Sequence, residues 1–336
     1  GPNCWATRLS AVRLLLSATL LPVAGRIGCA AEAEAEPVRV GVLKFGTVNW
    51  ELDVVRQHGL DRKHGIALKI VELAGKEATS VALQGHAVDL IVTDWIWVSL
   101  RRAAGADYSF APHSGTVGAL MVRPDAGIKT IADLIGRKIG VAGGPLDKSW
   151  LLLRAYGRKV LGLDLASAAE PVFAAPPLLN AVMQKGDLPA VLNFWNYNAR
   201  LKAAGMRELI NVQQMLPTLG FSEAPPLLGW VFSAAWAKAH QATLQGFLAA
   251  SHEAKQLLAS SDAEWQRLRP LTGAENDTVL FALRDAYRQG IVTDTGKDPE
   301  AAAAGMLKIL AESGALVPAG QSLAPVPGTF WTAASE

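Results

Sequence analysis

VRVGVLKFGTVNWELDVVRQHGLDRKHGIALKIVELAGKEATSVALQGHAVDLIVTDWIW (38–97) decides the fold of this chain. Three short apolar runs alternate in it with two stretches of helical character. These elements span, in order, 38–45, 52–65, 67–73, 78–86 and 88–93. Strands that alternate with helices in this way predict a parallel sheet with helices on its faces. The stretch therefore predicts an α/β fold.

The strand pattern continues beyond this block. SGTVGALMV (114–122) predicts one strand, and a second block of alternating strands and helices follows at 123–220. LLGWVFS (227–233) predicts a strand that returns to the first block, and four helices are expected behind it, at 234–260, 263–271, 275–290 and 298–314. Asp298 is expected to cap the last helix, because Asp favours the cap position and Pro299 suits the first turn.

The composition limits the class of protein. The 336 residues are 50% hydrophobic and 18% charged, so the chain can bury one large core or two modest ones. The net charge is +2, and the only basic cluster is Arg101-Arg102. This balance gives no electrostatic footprint for nucleic acid.

The first 31 residues predict a secretory signal peptide. Arg8 and Arg13 precede or open the apolar run LLLSATLLPVAG (14–25), and small residues follow at 29–31. Removal of this segment would leave no cysteine, so we expect no disulfide. Ile27-Gly28-Cys29 also resembles a lipid-anchor site, but Arg26 does not fit that pattern. The expected location is therefore the periplasm, with a lipid anchor at Cys29 as the less favoured alternative.

Polar and aromatic side chains follow the predicted strands. Ligands of open α/β sheets bind beyond the carboxyl ends of the strands, so these residues are candidates for ligand contact. Tryptophan faces stack on flat rings or attract cations, and asparagine both donates and accepts hydrogen bonds. The candidates are Thr47, Asn49, Trp50, Thr93, Asp94, Trp95, Gly143, Gly144, Asp147, Asn193 and Trp195.

Two of these candidates have a second possible role. Asp94 precedes a predicted helix at 96–104, Asp147 lies in the first turn of another at 146–162, and aspartate is a preferred helix cap. Asp94 can cap a helix and contact a ligand together only if it uses different oxygens. For the tryptophans the alternative is core packing, and Trp50 and Trp195 are the two that we favour as cleft walls.

Three motifs in this order resemble the periplasmic solute-binding proteins of ABC transporters. They are GLDRKHGI (59–66) before a strand, LQGHAVDLIVTD (83–94), and IKTIADLIGRKIGVAGGP (128–145), which is the most specific of the three. The most similar branch includes binders of aliphatic sulfonates, taurine, nitrate and thiamine precursors. The resemblance covers roughly residues 38–315.

The resemblance implies a type II-like fold with two α/β lobes, each built on a mainly parallel sheet flanked by helices. The chain would cross between the lobes near 112–123 and 219–231, and the ligand would lie in the cleft between them. The implied domains are a first lobe at 38–114 and 228–316, a second lobe at 123–220, and a C-terminal tail at 317–336.

The resemblance also implies a function. We expect a monomeric, non-enzymatic binding component of an ABC importer that captures a small organic solute and contacts an inner-membrane permease. Sulfonate and nitrate binders usually carry Ser or Thr where this chain has Asp147, which favours a neutral, cationic or aromatic ligand, with a sulfonate as the alternative. Two different functions stay open on the same fold, namely an accessory or sensory binding protein and a synthase of the thiamine-pyrimidine type.

Cofactors and metals are not expected. No two histidines have the spacing of a metal pair, and the chain has no phosphate-binding loop and no CxxC motif. A metal site built from Glu51, Asp94 and Asp147 has no support from spacing.

Overall fold

The computed structural model describes residues 34–221, 225–292, 298–312 and 324–332. The predicted signal peptide and most of the predicted tail lie outside these residues. The described strands are β1 (Glu36–Leu43), β2 (Ile66–Leu73), β3 (Leu90–Asp94), β4 (Tyr108–Ser114), β5 (Ala119–Val122), β6 (Lys138–Ala142), β7 (Glu170–Ala174), β8 (Ala190–Asn193), β9 (Arg207–Asn211) and β10 (Leu228–Ser233).

Helices connect and cover these strands, with one additional 3₁₀ turn at Ile131–Leu134. The described helices are α1 (Val48–Gln57), α2 (Leu60–Lys63), α3 (Lys76–Gln84), α4 (Trp95–Ala103), α5 (Lys148–Leu161), α6 (Leu165–Ala168), α7 (Pro176–Lys185), α8 (Trp195–Ala203), α9 (Val212–Met215), α10 (Ala234–Ala239), α11 (Gln241–Ser260), α12 (Asp262–Thr272), α13 (Asp277–Gln289) and α14 (Pro299–Glu312).

The strands form two sheets of five that share one design. The first sheet has the order β2-β1-β3-β10-β4 and the second has β7-β6-β8-β5-β9. Strand β10 is antiparallel to both of its neighbours, and so is β5. Four strands of each sheet therefore run in one direction, which confirms the prediction of mainly parallel sheets. Their carboxyl ends lie along one edge of each sheet.

The chain passes from the first sheet to the second between β4 and β5. The sequence predicts a single strand at 114–122, and this prediction is wrong because residues 115–118 leave the ladder between two strands of different sheets. The Gly115 N–H donates to the Gly290 carbonyl at 2.8 Å, away from any strand partner. The chain returns to the first sheet through β10, as predicted.

Several elements of the second half are absent from the sequence prediction. Helix α8 and strand β9, for example, follow β8, where the sequence indicates only polar and aromatic residues after a strand. Helix α8 buries Asn198, Ala199 and Leu201, so its inward face is partly polar and lacks a clear apolar stripe. Strand β9 lies at the edge of its sheet and has no fully buried residue, so it shows no apolar run.

The packing of the core joins the two sheets. One cluster of buried side chains combines Ile91 and Trp95 of the first sheet's layer with Leu151 of α5 and Leu310 of α14. Asp298 accepts from the Ala301 N–H at 3.0 Å at the start of α14, which confirms the predicted cap. Helix α14 thus contributes apolar side chains to a core that residues from both halves share.

The described part of the C-terminal tail is tied to the first sheet. The Trp331 N–H donates to the Phe110 carbonyl at 2.8 Å, and Phe330 is 7% exposed against Trp95 and Phe110. This part of the tail therefore adds a buried ring to the core.

Close packing at Gly229 in the centre of the first sheet gives a stability prediction. A Cβ at this position would meet the Phe110 ring and lie 2.5 Å from the Ala111 carbonyl oxygen. We expect Gly229→Ala to lower the free energy of unfolding by about 1–3 kcal/mol, because overpacking a fixed backbone forces it to move. Urea denaturation measures the change.

Gly75→Ala is the matched control. Gly75 has extended backbone (φ −166°) and a methyl group added there would have nothing within 4 Å, so only its position as the N-cap of α3 matters, and we expect a loss of no more than about 1 kcal/mol. Equal stability of Gly229→Ala and the control would contradict the described packing.

Candidate functional site

A buried aspartate of the first sheet contacts a lysine that follows a strand of the second sheet. Asp94 ends β3 and is 2% exposed. Its Oδ2 accepts a hydrogen bond from Lys76 Nζ at 3.2 Å and lies 3.3 Å from Lys148 Nζ. Lys76 begins α3, beside the first sheet, whereas Lys148 begins α5, after β6 of the second sheet. The ion pair between Asp94 and Lys148 therefore joins the two halves of the protein.

The two oxygens of Asp94 have different partners. Oδ1 accepts from the Trp97 N–H at 2.7 Å and caps α4, while Oδ2 is left for the lysines. This is the arrangement under which capping and a charged contact can coexist. Burial alone would raise the pKa of Asp94, but Lys148, Lys76 and the Trp97 N–H together hold that pKa below its usual value. The carboxylate is therefore charged at neutral pH.

The loop between β6 and α5 carries three more candidates. Gly143 and Gly144 have φ values of +84° and +89°, a region that favours glycine. Asp147 caps α5, since its Oδ2 accepts from the Trp150 N–H at 3.1 Å. Burial raises the pKa of Asp147 to about 6 against the opposing effect of that N–H and of Lys148. Asp147 thus has a raised pKa at the start of the helix whose Lys148 contacts Asp94.

The two candidate asparagines hold the loops at the strand ends. Asn49 Nδ2 donates to the carbonyls of Leu43 at 2.8 Å and Gly46 at 3.1 Å. Asn193 Nδ2 donates to Asn180 Oδ1 at 3.0 Å, and Asn193 Oδ1 accepts from the next backbone N–H. Their amide groups are therefore engaged inside the protein, at the edge where a ligand would lie.

The two candidate threonines differ in their surroundings. Thr47 precedes α1 and is half-buried, without a side-chain cap bond. Thr93 is 1% exposed, and its Oγ1 has no hydrogen-bond partner among the described residues. Thr93 directly precedes Asp94 in the sequence, so the residue before the Asp94–Lys148 ion pair has an unpaired hydroxyl.

The structure brings together two of the three candidate tryptophans. The rings of Trp50 and Trp195 meet edge to face with centroids 5.9 Å apart, one from the first half and one from the second. Trp50 is 3% exposed and also packs on Trp265, whereas Trp195 is half-buried. Trp95 is fully buried against Phe330, so it lies in the core and away from solvent.

Known proteins are similar to this chain in sequence. The model of the NMT1/THI5-like family matches residues 54–264. A putative aliphatic sulfonates-binding protein of Escherichia coli (strain K12) is 30% identical over 238 residues, which cover 69% of this chain and 70% of the relative. The chain belongs to the NMT1/THI5-like family.

Solved structures share the fold of this family member. The periplasmic aliphatic sulphonate binding protein SsuA from Escherichia coli matches with a TM-score of 0.70 at 22% identity, over 88% of this chain and 92% of that one. The alkanesulfonate-binding protein SsuA from Xanthomonas axonopodis pv. citri, bound to MOPS, matches with a TM-score of 0.68 at 20% identity, over 89% and 99%. The desulfurization enzyme DSZB matches with a TM-score of 0.59 at 16% identity, over 84% and 93%.

These matches confirm the family resemblance and the two-lobe fold class expected from the sequence motifs. In this NMT1/THI5-like protein the two five-stranded sheets correspond to the two lobes. The relatives named here as binding proteins support a solute-binding role.

A second buried polar cluster lies in the first lobe, and no sequence motif points to it. Lys255 of α11 donates to Glu51 Oε1, and Ser251 Oγ donates to the same oxygen at 2.9 Å. Lys255 Nζ also lies 3.0 Å from His113 Nδ1. Burial and Lys255 lower the pKa of His113 well below its usual value, so the ring is neutral and its Nδ1 accepts from the ammonium group.

The cluster leaves two polar atoms unpaired. Glu51 is fully buried, and its Oε2 has no hydrogen-bond partner among the described residues. The hydroxyl of Tyr287 is likewise buried and unpaired, and burial together with the charge of Glu51 raises the Tyr287 pKa. The residues of this cluster come from α1, β4, α11 and α13, so no sequence spacing signals it. The one local hint is a glutamate on the inward face of α1.

Metal ligands do not cluster in the described part of the chain. Within 34–221, 225–292, 298–312 and 324–332, no three His, Cys, Asp or Glu residues come together as a metal site. No helix in those ranges is long and apolar enough to cross a membrane.

The buried ion pair gives a stability prediction. Lys255→Met removes the partner of a fully buried carboxylate, so we expect the free energy of unfolding to fall by about 3–5 kcal/mol. The control is Lys63→Met, which breaks the exposed pair between Lys63 and Glu253 and should cost no more than about 1 kcal/mol. Chemical denaturation at about pH 7.5 compares the two variants, and equal losses would refute the description of a buried pair.

The unpaired hydroxyl of Tyr287 gives a prediction of little or no loss of stability. Tyr287→Phe removes a buried hydroxyl that has no partner among the described residues, so stability should stay within about 0.5 kcal/mol of wild type or rise slightly. Thermal unfolding measures the change. A loss above about 1.5 kcal/mol would mean that the hydroxyl is hydrogen-bonded in solution.

Proposed function

We propose that this protein is the extracytoplasmic solute-binding component of an ABC importer. The observation that carries the proposal is the ion pair between Asp94 and Lys148, which spans the two lobes at the carboxyl ends of their strands. Ligands of such sheets bind at this edge, and domain closure around a ligand brings opposing side chains into contact. Charged groups that meet across the lobes provide polar contacts for a small solute.

The proposed cleft contains the charged groups and the loops that hold them. Its centre is formed by Asp94, Lys76, Lys148 and Asp147, with the Gly143-Gly144 loop beside it. Trp50 and Trp195 close one side through their ring contact, and Thr47, Asn49, Thr93, Trp95 and Asn193 support the strand ends. The proposed domains remain 38–114 with 228–316, and 123–220.

The proposed ligand is a small neutral, cationic or aromatic organic solute. The relatives' names refer to sulfonates, and a sulfonate is the alternative. Asp147 supports the first class because its carboxylate accepts the Trp150 N–H that an anion would need. We propose that the protein binds without turnover, is exported by residues 1–31, acts as a monomer and delivers its ligand to a permease.

A ligand panel tests the proposal. Thermal shift of the purified mature protein is measured with alkylamines, aminopyrimidines, alkanesulfonates, nitrate and divalent metal ions, and mass spectrometry checks each mixture for products. A specific ligand at about 100 times its Kd should stabilise the folded state by about 2.7 kcal/mol. Product formation would replace binding with an enzymatic role, and no shift with any compound would contradict the proposal.

Asp94→Asn identifies the cleft as the site. Asparagine keeps the cap of α4 but removes the charge that pairs with Lys76 and Lys148, so the affinity of the ligand found in the panel should fall at least about tenfold. The control is Asp125→Asn, whose carboxylate is 72% exposed and pairs only with Arg123 among the described residues. Calorimetric titration measures the Kd of each variant relative to that of wild type. An unchanged Kd in Asp94→Asn would mean that the ligand binds elsewhere.

A further inference from the structure

Four charged side chains surround the start of α5, and their charges balance. Asp94 and Asp147 are acidic, while Lys76 and Lys148 are basic. Lys76 and Lys148 both act on the two carboxylates, since each lowers the pKa of Asp94 and of Asp147. With both acids ionised the group has no net charge. An anion that enters it finds no excess positive charge to bind.

The loop before α5 is shaped around Asp147. A Cβ on Gly143 would lie 2.8 Å from Asp147 Oδ1, so the carboxylate occupies space that only a glycine leaves open. On the other side, a Cβ on Gly118 would lie 2.5 Å from Ser149 Oγ, which places the start of α5 against the crossing between the lobes. Gly143 therefore leaves room for the Asp147 carboxylate, and Gly118 leaves room for Ser149 at the start of the same helix.

That position is the one that favours an external anion. The first N–H groups of a helix have no partner within the helix, and the helix dipole adds positive potential there. Asp147 Oδ2 already accepts the Trp150 N–H at 3.1 Å. A negative group of the protein itself thus uses the donor that a bound anion would use.

We propose that Asp147 is a built-in counter-anion that determines ligand specificity, so that anionic solutes bind in the cleft only when the Asp147 carboxyl is neutral. The inference rests on the proposed solute-binding function. It states that the charge of one residue, Asp147, decides whether the cleft binds anionic solutes. Protonation or uncharged substitution of Asp147 leaves one net positive charge among Asp94, Lys76 and Lys148.

The proposed selection has a pH dependence whose sign follows from the surroundings of Asp147. The charged groups that act on it are Lys148 on its own helix and Lys76 on α3, and Asp94 of β3 lies beyond them. Burial raises the pKa of Asp147 to about 6. The carboxyl is therefore mainly ionised at about pH 7.5 and mainly neutral at about pH 5, so anion binding strengthens as the pH falls.

The test compares two probes of similar size and opposite charge. Butanesulfonate and butylammonium are titrated into the full mature protein between about pH 5.0 and 8.0 by calorimetry. Because apparent affinity scales with the competent fraction, butanesulfonate should bind wild type about 30-fold more tightly at about pH 5.0 than at pH 7.5. Butylammonium should show no gain as the pH falls.

Asp147→Asn removes the charge and keeps a capping side chain. This variant should bind butanesulfonate at about pH 7.5 as tightly as wild type does at about pH 5.0, with a flat pH profile. Asp147→Ser provides a second uncharged cap if the asparagine variant fails to fold. The control Asp298→Asn changes an exposed helix-capping aspartate outside the cleft and should keep the wild-type profile.

The outcomes separate this inference from the proposed function. If butanesulfonate binds wild type and Asp147→Asn equally at about pH 7.5, the counter-anion role is refuted while solute binding stands. The same conclusion follows if the pH profile persists in Asp147→Asn. If neither probe nor any compound of the ligand panel binds any variant at any pH, the proposed function itself fails.

Discussion

The burial of Asp94 is the constraint on which the arrangement of the two lobes depends. An unpaired carboxylate at 2% exposure would be costly, so its position requires both a helix start and a cation. The helix start is supplied by α4 immediately after it, whereas one of its two lysines comes from the other lobe. The N–H group of the adjacent helix satisfies one oxygen, whereas the second oxygen is satisfied partly by a lysine of the other lobe. The charge therefore ties the edge of one sheet to the edge of the other.

A second buried carboxylate, that of Asp147, lies beyond the end of β6 in the other sheet. Asp147 lies in a loop whose two glycines have positive φ values, and its carboxylate lies at the start of α5. Asp94 has its pKa lowered by two lysines, while Asp147 has its pKa raised by burial. The two aspartates thus differ in pKa, because Asp94 has two lysines in contact whereas Asp147 is opposed to its burial chiefly by backbone N–H donors.

A second buried charge, on Glu51, lies within the first lobe and has a different relation to the fold. Its ammonium partner, Lys255, is on a helix 204 residues away in sequence, and His113 lies at the end of the strand that leads into the crossing between the lobes. The network connects α1, α11 and β4. Its hydrogen bonds fix the relative orientation of these elements more specifically than apolar contacts would. The unpaired hydroxyl of Tyr287 belongs to a ring that packs on Trp195 and Trp265, beside the ring contact that joins the lobes.

The sequence by itself determined the alternation of strands and helices, the family, and the strand ends at which Asp94 and Asp147 lie. Those features depend on local periodicity and short motifs, which are readable along the chain. Only the tertiary structure decided that residues 114–122 divide between two sheets, that Trp95 is core, and that Lys76 and Lys148 converge on Asp94. These outcomes depend on contacts between segments that are distant in sequence. Neighbours from other segments determine the burial and the ionisation of each residue, and no local sequence pattern specifies them.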